Sequence, residues 1–166
     1  FNNKNRNSIN PIREIFINIP ESRKWYSNLI KAYLDNDSVI PEKLKKRFDA
    51  LIYFKISNDL ICQLPSSIRI SGDWKDHIKL INGKIVSSLD VSVKEGNING
   101  ITKFKLFLPA TRNGSSEVFI SLFLKEMGYL SPRTNFAKVI LNNEPFEMIF
   151  QEKASKEMLE HNKLRE

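Results

Sequence analysis

The chain has one cysteine, Cys62, and two histidines, His77 and His161. A lone thiol excludes an intramolecular disulfide and a cysteine-based zinc site, and two imidazoles exclude a multi-histidine metal centre. Cys62 therefore reads as a small buried apolar residue. No apolar run approaches the roughly 18 residues of a membrane-spanning helix, and Ile78 to Val86 is broken by Lys79, Asn82, Gly83 and Lys84. The patterns G-x-x-x-x-G-K-[ST], G-x-G-x-x-G, G-x-S-x-G and H-E-x-x-H are also missing. P-loop nucleotide hydrolysis, dinucleotide binding and zincin chemistry thus lack their usual sequence support.

What is present is a basic chain of otherwise ordinary globular composition. Lys and Arg number 26 against 19 Asp and Glu, a formal net charge of +7 over 166 residues, and 41% of the residues are hydrophobic. That length suits one domain, or one lobe of something larger, and the apolar content can supply a core. The sequence opens at Phe1 without Met and stops at Glu166 inside a helix-like pattern. Both ends read as cuts, with any signal peptide or partner lobe outside the sequence.

The first ten residues are polar and Asn-rich, and the segment up to residue 20 reads as a mobile tail ahead of a unit spanning 21–166. From Glu21 to Asn36, Trp25, Tyr26, Leu29, Ile30, Tyr33 and Leu34 recur at helical spacing between Pro20 and Asp35-Asn36-Asp37. The period then drops to two. Strands are predicted at Phe48 to Ile56, Leu60 to Leu64, Ser67 to Ser71, Val86 to Val93 and Lys103 to Leu108, with turn chemistry between them. A helix follows from Ser116 to Met127, with Asn113 or Ser115 as cap, Glu117 in its first turn and Gly128 just beyond its end. Its apolar face, Val118, Phe119, Leu122 and Phe123, is expected to pack on the sheet. A hairpin, Phe136 to Leu141 and Pro145 to Gln151, turns at Asn142-Asn143-Glu144, and Lys153 to Arg165 is helical again. The expected fold class is α+β, a mainly antiparallel sheet with packed helices.

Charged residues offer candidates without a complete catalytic set. Asp73 and Asp76 crowd a turn beside His77, where they either satisfy backbone N–H groups or form part of a site. Strand phase puts Lys103, Lys105 and Phe107 on one face and Phe104, Leu106 and Leu108 on the other. The run Lys43, Lys45, Lys46, Arg47 beside Phe48 is either a solvated rim or a weak nucleic-acid signal. Interleaved acids and the lack of an RNP, KH or helix-turn-helix pattern count against nucleic acid.

Strands, then Lys103 to Leu108, a helix near Glu117, a hairpin and an exit at Gln151-Glu152-Lys153 follow the order of the small lobe of a protein kinase. Residue identities add to this order. Ser67 to Ile78, SIRISGDWKDHI, resembles the L-R-I-K-G-D-W-x-D-H-I signature of the spore-coat protein H (CotH) kinase-like family. Ser88 to Val93 is similar to its S-F-R-V-K-V, Gly100 to Leu106 to its G-M-K-x-F-S-L, and Pro109 to Asn113 to its P-x-T-R-N. Glu117, Leu124 to Gly128, Arg133, Val139 to Asn143 and Phe150 to Lys153 fall where the family carries E, L-x-x-x-G, R, V-x-L-N-G and Y-x-x-E. The resemblance runs from about Phe48 to Glu166.

It implies the N-terminal lobe of an atypical protein kinase that moves the γ-phosphoryl of ATP to protein Ser or Thr with a divalent metal such as Mg. The metal-binding and catalytic acids are then expected in a second lobe beyond Glu166, so this piece alone should be inactive and its partners are that lobe and a protein substrate. A cell-envelope, surface or secreted location is also implied. Ser71 stands where the family usually has Lys, Asp90 where it has Arg and Asn143 where it has Gly. Phosphate contacts then shift to Arg69, Lys103, Lys105 or Arg112, with Glu117 as a phosphate-site acid or a helix dipole partner, and Glu152 as an adenine-side backbone or the start of the last helix. A non-catalytic CotH-like binding scaffold is the alternative that Ser71 and Asp90 motivate.

Overall fold

A computed structural model describes residues 11–55 and 61–162. Strand β1, Glu14–Asn18, alternates Ile15 and Ile17 inward with Phe16 outward, within the segment that the sequence presents as a tail. Helix α1, Ser22–Leu34, follows and buries Trp25, Leu29 and Ala32, while Ile30, Tyr33 and Leu34 stay exposed. Strands β2 (Phe48–Lys55) and β3 (Ile61–Ile70) pair antiparallel; the sequence places a break inside β3, at Pro65-Ser66, that the structure bridges. The predicted ends at Ile56 and Leu60, the first ten residues and the tail of the last helix lie outside the described residues.

A small hairpin, β4 (Ile78–Ile81) and β5 (Lys84–Ser87), stands apart from the main sheet, and Ser88 separates β5 from β6, Leu89–Val93. Then come β7 (Lys103–Phe107), α2 (Ser116–Glu126), β8 (Thr134–Leu141), β9 (Glu144–Glu152) and the short α3 (Lys156–His161). Asn142 and Asn143 both have positive φ, 46° and 71°, the left-handed pair that a two-residue hairpin needs and that Asn adopts more readily than other residues with a side chain.

Seven strands close into a barrel in the order β1, β2, β3, β6, β7, β9, β8, with β8 returning to β1 in parallel and every other pair antiparallel. This corrects the α+β expectation and, with it, the picture of a kinase-like small lobe: strand makes up 42% of the described residues, against three short helices among them. Alternation shows that each strand has one buried face, yet an open sheet and a barrel share that pattern. Closure depends on β1, whose five residues are too short to stand out from the polar segment before them. The interior is filled by Ile15, Ile17, Ile52, Ile68, Ile70, Leu89, Val91, Phe104, Leu106, Val139, Met148 and Phe150, all at most 2% exposed. Phe104 and Phe150 meet at 4.9 Å between ring centroids. Trp25 of α1 stands edge-on to Phe48 at 5.3 Å, fastening the helix over that end of β2.

Helix α2 ends as its sequence suggests, with Gly128 at φ 84° and the Tyr129 N–H donating back to Leu124, but at its start Ser115 stands in the cap position without a side-chain cap hydrogen bond. Its packing is the reverse of the expectation. Ser121 is the buried residue, Val118 and Leu124 are half-buried, and Phe119, Leu122 and Phe123 are exposed, with the Phe119 and Phe123 rings stacked on the outside. The helix is apolar nearly all round, so periodicity could not choose which side meets β8.

Candidate anion-binding site

The outward-facing residues of four neighbouring strands form a row around the barrel wall. Cross-strand register sets Arg69 of β3 opposite Asp90 of β6, Asp90 opposite Lys105 of β7, and Lys105 opposite Gln151 of β9. Gln151 Nε2 donates to Glu117 Oε1 of α2 at 2.5 Å, so the row ends on the helix. Three of the candidates, Arg69, Lys105 and Glu117, are therefore brought together, with Glu117 held by an amide rather than by a cation.

Asp90 is the centre of the row. Its side chain is 5% exposed and collects Arg47 Nη2 at 2.8 Å, Lys153 Nζ at 3.2 Å and, more loosely, Arg69 Nη2 at 3.7 Å. Burial pushes the Asp90 carboxyl up, but hydrogen bonds and charge from Arg47 and Lys153 outweigh it and hold the group below the usual carboxylate range. Arg47 also donates to the Ser67 carbonyl and hydroxyl, both at 3.3 Å, and Arg69 reaches Glu42 at 3.7 Å.

Beside this network lies a second arrangement, built on Phe107. The ring faces outward from β7 yet is 1% exposed, because Arg112 covers it at 3.9 Å from guanidinium to centroid and Lys105 Nζ sits 5.5 Å from the centroid. Among the described residues neither Lys105 nor Arg112 has a carboxylate within ion-pair distance, and the buried Nε of Arg112 has no acceptor. Burial lowers the Lys105 ammonium below its usual range; Asp90 opposes this, while Lys153, Arg112 and Arg69 add to it. Five cations thus share one wall with a single buried carboxylate, and two of the five are left without an anion.

His77 supports this wall from below. Its Nδ1 lies 3.0 Å from Ser88 Oγ, which also accepts the Leu108 N–H at 3.1 Å, and its ring stands 6.2 Å from Phe107. Ser88 is fully buried, and burial holds His77 below the usual imidazole range, so the pair is a packing element. A Cβ on Gly72, at φ 96°, would come within 2.0 Å of the His77 ring. The G-D-W-x-D-H-I block therefore earns its glycine and histidine by close packing. Asp73 serves neither a backbone turn nor a metal: it pairs with Lys45 at 2.5 Å, which lowers its carboxyl below the usual range.

The remaining candidates lie apart. Lys103 is exposed one register step from the row, opposite Ser92. The Glu152 carboxylate, 3% exposed, takes a two-pronged bond from Arg133 at 2.8 Å on each oxygen, and its N–H donates to the Arg133 carbonyl. Sequence reasoning missed Lys153 as a member of the site and read Arg47 as rim; the signal needed was cross-strand register, since they reach Asp90 across 63 and 43 positions. Cys62 is free and half-buried rather than buried. A groove of about 830 Å³ lined by Phe16, Tyr53, Ile140 and Asn142 includes none of the cationic residues. Among the described residues no three His, Cys, Asp or Glu side chains are grouped to hold a metal ion, and no helix is long and apolar enough to cross a membrane.

Comparison with known proteins finds no matching family model and no similar protein among those of curated function.

Proposed function

We propose that this chain is the phosphate-holding part of a CotH-like phosphotransferase, which moves the γ-phosphoryl of ATP to a Ser or Thr hydroxyl of a protein. The observation that carries the reading is the pair Lys105 and Arg112, two cations over one Phe107 ring with no carboxylate partner. Unpaired cations at a partly desolvated surface gain by taking an anion, and a guanidinium beside an ammonium suits a phosphoryl group. The sequence blocks that resemble the CotH family surround the same wall: Arg69 and His77 lie in the first, Asp90 in the second, Lys105 in the third and Arg112 in the fourth.

In this reading Lys105 and Arg112 bind and orient a phosphoryl group of the nucleotide. The CotH resemblance places the metal ligands and the base that takes the hydroxyl proton in a second lobe. The 166 residues alone bind phosphate and transfer none.

Calorimetry with ATP on four alanine variants of the full-length protein tests the proposal. Lys105→Ala and Arg112→Ala should each weaken binding about tenfold or more, because a charge-assisted phosphate contact is worth roughly 1.5–3 kcal/mol. Lys103→Ala and Arg69→Ala should stay near the parent, the first being exposed off the row and the second engaged with Asp90 and Glu42. Four values near the parent would remove this wall as the nucleotide site. The engagement of three cations by Asp90 favours one alternative, a CotH-like scaffold that binds without phosphotransfer, and a full-length protein that binds no ATP would select it.

A further inference from the structure

Asp90 divides the wall into two unequal parts. On one side, Arg47, Lys153 and Arg69 converge on its carboxylate, which is nearly buried beneath heads that are themselves 34–40% exposed. On the other side, Lys105 and Arg112 remain over Phe107 with no anion of their own. The carboxylate is fixed, since it has hydrogen bonds on both oxygens and a cross-strand neighbour on each side. An incoming phosphate chain that extended past Lys105 along the row would meet the heads of Arg47, Arg69 and Lys153, whose charge Asp90 partly cancels from beneath and whose donors it already engages.

We infer that Asp90 is a specificity-determining residue that limits the site to a single phosphoryl group, held by Lys105 and Arg112. The inference rests on the phosphate-binding reading above and adds its selectivity. Arg47, Arg69 and Lys153 are a latent second half of the cradle, closed by an internal anion. Removing that charge leaves three cations beside the occupied pair and opens the row to the following phosphates of a chain. At about two strand spacings, roughly 10 Å, and an effective dielectric of about 20, one unit charge is worth somewhat more than tenfold in affinity.

The test compares orthophosphate with tripolyphosphate, by calorimetry at fixed ionic strength, on the 166-residue chain and on Asp90→Asn, with thermal melts to confirm folding. The parent should bind the two anions within about threefold of each other. Asp90→Asn should bind tripolyphosphate at least tenfold more tightly than orthophosphate. A parent that already prefers tripolyphosphate tenfold or more overturns the inference and leaves the phosphate site standing. A folded Asp90→Asn protein with the parent's ratio also overturns it. If Asp90→Asn does not fold, the parent's ratio decides alone. A parent that binds neither anion removes the phosphate-binding reading and this inference together, so the two failures are told apart.

Discussion

Glu152 shows how a candidate acid becomes structural. Its carboxylate is almost fully buried and both oxygens are taken by Arg133, whose other terminal nitrogen donates to the Asn99 carbonyl at 2.7 Å. This ties the end of β9 to the loop before β7. Removing one member of a buried ion pair leaves the other charge uncompensated, at a cost of about 3–5 kcal/mol. Glu152→Ala should therefore lose about that much in urea denaturation while the surviving folded protein keeps its phosphate affinity; a loss below about 1 kcal/mol would make the pair dispensable. The sequence marks Glu152 as charged at a strand exit, but nothing local separates a buried partner from a ligand. Asp90 is a sharper instance. Read along the chain it is a position where an expected cation is missing, whereas read across strands it is where three cations meet. Arg69 and Lys105 were recoverable from strand phase alone, because alternation tells which face a residue takes. Arg47 and Lys153 were not, because they flank the ends of β2 and β9 and no short-range rule carries a contact from there to Asp90 of β6, 43 and 63 positions away.

At the scale of elements, most boundaries were legible and one orientation was not. Alternation located β2, β7, β8 and β9, while the predicted strand Val86 to Val93 is divided at Ser88 between β5 and β6, and the end of α2 was located by Gly128, which after an apolar run has few other uses. The side of α2 that meets the barrel escaped because every position from Val118 to Leu124 except Ser121 is apolar, and the small Ser121 is what allows the backbone to approach β8. The consequence for stability is a reversal. If Phe123 filled the core, its truncation to Ala would cost about 3–5 kcal/mol. At 53% exposure, with its ring stacked only on Phe119, Phe123→Ala should cost less than about 1 kcal/mol. Ser121→Leu is the converse probe and should be destabilising by overpacking, about 1–3 kcal/mol. Chemical denaturation of both variants reads the orientation of the helix directly, and a large loss at Phe123 with none at Ser121 would turn it round.

For the whole molecule the decisive element is β1, the five-residue strand that closes the barrel. Between them β2 and β8 have no ladder except through β1, which pairs Ile17 with Ile52 on one side and with Leu141 on the other. The closure is reinforced at the strand's end, where the Ile19 N–H donates to Asn142 Oδ1 at 2.7 Å and the Asn142 N–H donates to the Ile17 carbonyl at 2.9 Å. A barrel has no free edge to fray, so loosening one strand should weaken its two neighbours with it. Ile15 is fully buried on β1, and Ile15→Ala should cost about 2–5 kcal/mol, the range for a large-to-small change in a packed core. Native-state hydrogen exchange then distinguishes a closed wall from an added strand. In a closed wall, the amides of β1, β2 and β8 lose protection together and the loss equals the global one. If β1 were only laid on an open sheet, the substitution would speed exchange in β1 alone while the amides of β2 and β8 kept their protection, and the global stability would move by less than about 1 kcal/mol.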